Sequence, residues 1–150
     1  MKKHVLLLLI VFVFFALACN SQKREKENSS SVNSLTATAD NTSDRIDAYY
    51  FHFTARCVTC RTIEESTKSN LQALYPEHIR SGLITFKSFN LDNDSCRVFA
   101  GTLGVSGQTL LLVKGDQKIN LTNEGFMYSV SKPDKFRDII NEKVEFLLSR

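Results

Sequence analysis

The sequence predicts an α/β domain over residues 45–150, with elements in the order β-α-β-α-β-β-α and a central mixed sheet flanked by helices. Three observations carry this expectation. Apolar runs rich in β-branched and aromatic residues alternate with stretches whose apolar positions recur at helical spacing. A Gly115-Asp116 turn joins two of the runs as a hairpin. A Cys57-Val58-Thr59-Cys60 motif stands between the first run and the first helical stretch.

The first strand is Ile46–Phe53, whose nearly continuous apolar character suits a central position. From Val58 to Tyr75, Ile63, Thr67, Leu71 and Leu74 fall near helical spacing, Glu64 and Lys68 can pair at i,i+4, and Pro76 stops the helix. Leu83–Leu91 is a second strand, with Ile84, Phe86 and Ser88 on one face and Phe89 shifting the pattern. Asp92–Leu103 reads as a short helix, capped by Asp92 or Asp94 and ended at Gly104, with Cys96 in its first turns. Thr109–Val113 and Lys118–Thr122 are the hairpin strands. Ser131 begins the last helix as a capping-box candidate with Asp134, and Phe136, Ile139, Ile140, Val144 and Leu147 form its buried stripe. Helical crossovers between the first three strands predict that these run parallel, with the last two antiparallel.

Ahead of the domain, Met1–Cys19 has the features of a targeting segment: Lys2 and Lys3, the apolar run Val5–Leu17, and the small-x-small pattern Ala16-Leu17-Ala18. The apolar run is short for a bilayer span. Ala18-Cys19 resembles the end of a bacterial lipoprotein signal, which implies residues 1–18 as signal peptide and lipidation of Cys19. Simple cleavage and an uncleaved anchor are the alternatives. Residues 19–44, rich in Ser, Asn, Thr and charge, then read as a flexible polar tether. These features predict an exported protein of the bacterial cell envelope, held to the membrane by its N-terminal lipid as a periplasmic or outer-membrane lipoprotein. The net charge of +3 is small and evenly spread, so nothing points to nucleic acid.

Export bears on the cysteines, because disulfides persist outside the cytosol. Setting Cys19 aside leaves Cys57, Cys60 and Cys96, so one is unpaired or pairs only transiently. A thiol at a helix N-terminus faces free backbone N–H groups and the positive end of the dipole, both of which favour the thiolate. Flanking Arg56 and Arg61 add positive charge, and Cys60 lies one turn away, close enough for a disulfide. A redox pair is therefore the leading reading. Half of a zinc site needs two further ligands, for which Cys96, His4, His52 and His78 remain. An inert structural disulfide is the third possibility. His52, just before the motif, is more simply a structural residue than a catalytic one.

From about Ile46 to Leu148 the chain resembles the thioredoxin-like superfamily. The resemblance implies that Cys57 is the nucleophile that attacks a substrate disulfide, that Cys60 resolves the mixed disulfide, and that the pair forms a redox disulfide. It implies no organic cofactor, exchange with partner-protein thiols or disulfides, and a monomer. Two positions depart from the family pattern. Gln108, in Ser106-Gly107-Gln108-Thr109-Leu110, stands where the family places a cis-proline that shapes the substrate groove and shields the thiols from metal. Phe51 stands where many members carry a buried Asp, and His52 points to the opposite face. Tyr-Tyr-Phe-His-Phe-Thr-x-Arg-Cys-Val-Thr-Cys is most similar to a small group labelled nitrophenyl-compound nitroreductase subunit, ArsF-type, although no flavin-binding signature accompanies it. The loss of proline keeps open an alternative from another class, a soft-metal or metalloid binder using Cys57, Cys60 and Cys96.

Overall fold

The computed structural model describes residues 44–150. The signal segment, the tether through residue 43 and Cys19 therefore lie outside the described residues. Among those described, no helix is long and apolar enough to cross a membrane. The elements in chain order are β1 (Ile46–His52), α1 (Val58–Leu74), α2 (Pro76–Ser81), β2 (Ile84–Asn90), α3 (Asp94–Thr102), β3 (Thr109–Lys114), β4 (Gln117–Asn120), α4 (Thr122–Tyr128) and α5 (Pro133–Leu148). They build an α/β fold around one four-stranded mixed sheet of order β2-β1-β3-β4.

β1 occupies an interior position because its residues from Ile46 to Phe51 are all buried. Its period-two alternation sorts them between two faces. Ile46, Ala48 and Tyr50 join Ile84, Leu110 and Leu112 under Ile63 and Leu71 of α1 and Phe136, Ile140, Val144 and Leu147 of α5. Tyr49 and Phe51 face the other way, toward Leu91, Ala100, Val105 and Leu111, with Phe89 and Phe99 packed against them. On that side four rings meet at centroid separations of 5.0–6.1 Å, and α3 covers them. Each fully buried large apolar side chain contributes about 1.5–3 kcal/mol, so both faces help hold β1 in place. Phe89 does not shift the β2 pattern: it pairs with Phe51 in unbroken register and simply belongs to the α3 face.

β1 and β2 run parallel, Ile46 opposite Ile84 through His52 opposite Asn90. β3, expected to be parallel to them, is antiparallel to β1, with Phe51 opposite Thr109 and Asp47 opposite Val113. The cause lies in the connection after β2. α3 has nine residues, and Val105 N–H returns to the Ala100 carbonyl at 2.9 Å, so the chain folds back at once. It re-enters the sheet beside the end of β1 rather than beside its start. β4 pairs antiparallel to β3, as the hairpin turn predicts.

Two short helices were absent from the expected order. Pro76 ends α1 as anticipated but then opens α2, where its missing N–H is no loss; Gly82, at φ 78°, closes that helix. α4 begins where the last strand was expected to continue. Asn120 Oδ1 accepts the Thr122 N–H at 2.9 Å, and Thr122 Oγ1 accepts the Leu110 N–H at 3.0 Å, which turns the chain out of the sheet. Gly125 lets α4 lie against α1: a Cβ there would sit 3.1 Å from Ile63 Cγ2. The last helix starts at Pro133 with Lys132 at the N-cap and no side-chain cap bond. Ser131 does not form the capping box, because its hydroxyl donates back to the Met127 carbonyl.

Candidate functional site

The chain leaves β1 at His52, crosses four residues and enters α1 at Cys57. Hydrogen bonds to the β2–α3 turn hold this crossing. Thr54 N–H donates to Asp92 Oδ2 at 2.7 Å, Asn90 Nδ2 donates to Thr54 Oγ1 at 2.8 Å, and Leu91 N–H donates to the His52 carbonyl at 2.7 Å. Asp92 therefore secures the loop before Cys57 rather than capping α3. Neither it nor Asp94 caps that helix; Asn93 Oδ1 does, accepting the Ser95 N–H at 3.0 Å. The backbone N–H of Thr54, helped by its hydroxyl, holds the Asp92 carboxyl below the usual range.

Cys57 is the N-cap of α1, and its Sγ accepts the Cys60 N–H at 3.2 Å. Cys57 and Cys60 form a disulfide with a Cα–Cα separation of 5.1 Å. The two sulfur-bearing residues differ in access: Cys57 is exposed, whereas Cys60 is 6 % exposed. Their asymmetry follows from the helix, which turns Cys60 inward one residue short of Arg61 and points the N-cap at solvent. The first turn of α1 carries no acid, so nothing there offsets its positive end. Apolar side chains flank the exposed sulfur in sequence, with Phe53 41 % and Val58 69 % exposed.

Behind the pair lies a polar group that sequence reasoning missed. Tyr50, 1 % exposed, donates from its hydroxyl to the Cys60 carbonyl at 2.7 Å. Gln108 Nε2 donates to that hydroxyl at 2.6 Å. Burial pushes the Tyr50 phenol up to about 12; the Gln108 hydrogen bond works against this and the Glu64 carboxylate adds to it. Tyr50 is thus a neutral donor at ordinary pH. Its signal was available in principle. A tyrosine inside a central strand must place its hydroxyl on a partner, and strand alternation puts Tyr50 on the α1 face.

Gln108 reaches the motif through Tyr50, and no peptide bond among the described residues is cis. Phe51 is fully buried among the rings under α3. His52 lies on the opposite face from Phe51, as expected. Its Nδ1 is 2.9 Å from the Phe53 carbonyl and its ring stacks on Tyr50 at 6.0 Å. Glu64 does not pair with Lys68; it makes an ion pair with Arg56, and both side chains are largely covered, at 22 % and 23 % exposed. Cys96 is free and half-buried in the first turns of α3. Among the described residues, no three His, Cys, Asp or Glu side chains converge in a way that could hold a metal ion. A pocket of about 250 Å³ lined by Lys68, Gln72, Ile79, Ile84, Thr85 and Phe86 lies between α1, α2 and β2, and none of the cysteines lines it.

Chemically, the arrangement is a disulfide between one exposed and one buried cysteine at a helix start. No protein-family model matches the chain, and no curated protein is significantly similar to it.

Proposed function

We propose that this protein is an exported, membrane-tethered thiol–disulfide oxidoreductase of the thioredoxin-like type, exchanging electrons with a partner protein through Cys57 and Cys60. The observation that carries the reading is the unequal exposure of the two disulfide-bonded cysteines at a helix N-terminus. A sheet of order β2-β1-β3-β4, with the motif between β1 and α1, supports the thioredoxin-like assignment.

Starting from the disulfide, a partner thiolate attacks exposed Cys57 Sγ. The Cys57–Cys60 bond breaks, a mixed disulfide forms at Cys57, and Cys60 leaves as a thiolate that takes a proton from water. A second partner thiolate then attacks the partner sulfur of the mixed disulfide and releases Cys57 as a thiolate. The partner gains a disulfide and loses two electrons, which the domain now holds as a dithiol. The reverse sequence, opened by the Cys57 thiolate and closed by Cys60, reduces a partner disulfide. Thiolate attack and a good leaving group govern both directions. Backbone donors at the N-terminus of α1 stabilise the thiolate at Cys57.

The test is equilibration of the purified protein in a series of glutathione ratios, followed by alkylation and peptide mass measurement, with metal content determined on the same sample. A reversible Cys57–Cys60 disulfide with Cys57 alkylating first supports the proposal. Thiols blocked by bound metal, with Cys96 protected beside the pair, would overturn it in favour of a metal binder. A pair that no glutathione ratio reduces would make it an inert crosslink.

A further inference from the structure

Arg56 immediately precedes the exposed sulfur, yet its guanidinium is turned onto Glu64, one helical turn beyond Cys60. No acid occupies the first turn of α1, so Glu64 is the nearest carboxylate along the helix to either cysteine. The pair is also largely covered, a setting in which charge acts over longer distances than on an open surface and is screened less by salt. The charges of the pair also act on Tyr50, Glu64 raising and Arg56 lowering its phenol, and the Tyr50 hydroxyl donates to the Cys60 carbonyl. In sequence, one cation and one anion thus flank the motif, and they are bonded to each other.

We infer that Glu64 is a positioning residue that sets the redox balance of the Cys57–Cys60 pair by holding Arg56. The inference rests on the redox reading above and adds its tuning. In the disulfide neither sulfur carries charge, and the Arg56–Glu64 pair is self-contained. Reduction adds two electrons; with the helix N-terminus favouring a thiolate at Cys57, one proton is taken up, at Cys60. Two glutathione thiols supply the electrons and become one glutathione disulfide; of their two protons one goes to Cys60 and the other to water. The new anion lies one residue from Arg56 and competes with Glu64 for it. With Glu64 present, Arg56 is shared, and the reduced form gains less than a lone arginine would give it. Other ionisable groups at this end of the sheet include exposed Arg61 on α1, Tyr50 and His52 of β1, and Asp92, half-buried Cys96 and Arg97 beyond β2. Asp92 is already engaged with Thr54.

The two members of the pair therefore have opposite effects on the equilibrium, which a structural ion pair would not. The experiment measures the equilibrium constant of the purified protein with glutathione for wild type, Glu64→Gln, Arg56→Met and Arg56→Lys. Glu64→Gln should shift it toward the reduced protein by about threefold to tenfold, a tenfold change being about 30 mV for a two-electron couple. Arg56→Met should shift it toward the disulfide by a similar factor, and Arg56→Lys should restore most of the wild-type value. Shifts in the same direction for Glu64→Gln and Arg56→Met, or no shift in either, would overturn the inference. Failure of the wild-type disulfide to reduce reversibly would instead remove the redox reading beneath it. Circular dichroism of the Lys and Gln variants, which keep the length of the native side chains, guards against reading misfolding as a shift.

Discussion

Replacing Tyr50 with Phe removes a single oxygen from the centre of the site and tests whether the polar group behind the disulfide holds the fold together. The ring stays, so the apolar burial of this 1 % exposed residue is nearly unchanged. Two hydrogen bonds vanish, from the hydroxyl to Cys60 O at 2.7 Å and from Gln108 Nε2 to the hydroxyl at 2.6 Å. A typical intramolecular hydrogen bond is worth about 1 kcal/mol net, and a buried group left without a partner costs about 1–3 kcal/mol. Gln108 is only half-buried and can turn partly to water, which places the expected loss near the low end, at about 1.5–2 kcal/mol. For a domain of this size that is a fall in melting temperature of roughly 6–12 °C. Urea unfolding of the oxidised protein, at constant slope, measures it directly. The same experiment on Gln108→Leu and on the double variant should show non-additivity, because both singles break the same bond. A Tyr50→Phe midpoint indistinguishable from wild type would refute the reasoning, since it would mean that solvent serves both partners equally well.

Asp47 offers a pH test. Burial by itself raises its carboxyl, but hydrogen bonds from Arg45 and Thr85 and the charges of Arg45 and Lys87 outweigh that and hold it below the ordinary value. A depressed carboxyl contributes stability above the unfolded-state value of about 3.9 and loses it as pH falls through the folded-state value. Asp47→Asn should therefore be less stable than wild type near neutrality, with the gap closing below about pH 4; a gap independent of pH in urea melts would contradict the assignment. Gly125→Ala tests the crossing of α4 over Ile63, whose side-chain carbons would lie 3.1–3.3 Å from the new Cβ. Better helix propensity gains about 1 kcal/mol and overpacking costs about 1–3 kcal/mol, so a net loss near 1 kcal/mol is expected, smaller in an Ile63→Val background. A stabilised Gly125→Ala would show that the crossing yields.

Much of the architecture was legible from local pattern. β1 announced itself by its nearly continuous apolar run, α1 by spacing that its buried Ile63, Thr67 and Leu71 confirm, and the hairpin by Gly115-Asp116. Features that depend on where the chain returns were not legible. The direction of β3 is decided by how tightly the chain turns after nine-residue α3, which composition does not state. α4 is too short and too interrupted by Gly125 to show a period. At the site, the two cysteines and the place of Cys57 at the helix start were legible in the motif. Tyr50 and Gln108 meet across 58 positions, and no spacing rule links them. Glu64 was matched with Lys68 by helix spacing, yet a loop outside the helix delivers Arg56 to it, a pairing set by how the chain enters α1 and not by any helical period.

A helix usually begins on an oxygen or on bare glycine; α1 begins on a sulfur whose charge depends on its oxidation state. The Cys60 N–H that meets Cys57 Sγ at 3.2 Å is bonded to a poor acceptor in the disulfide, whereas a Cys57 thiolate in the same place would be a far stronger one. Unfolding abolishes this contact in both forms, so the closed cycle of oxidation and unfolding ties the two together. Whatever the sulfur cap adds to the opened form must surface twice, as greater resistance of the dithiol protein to denaturant and as greater oxidising strength of the native disulfide. Conformational stability and electron affinity are here one free energy seen from two directions.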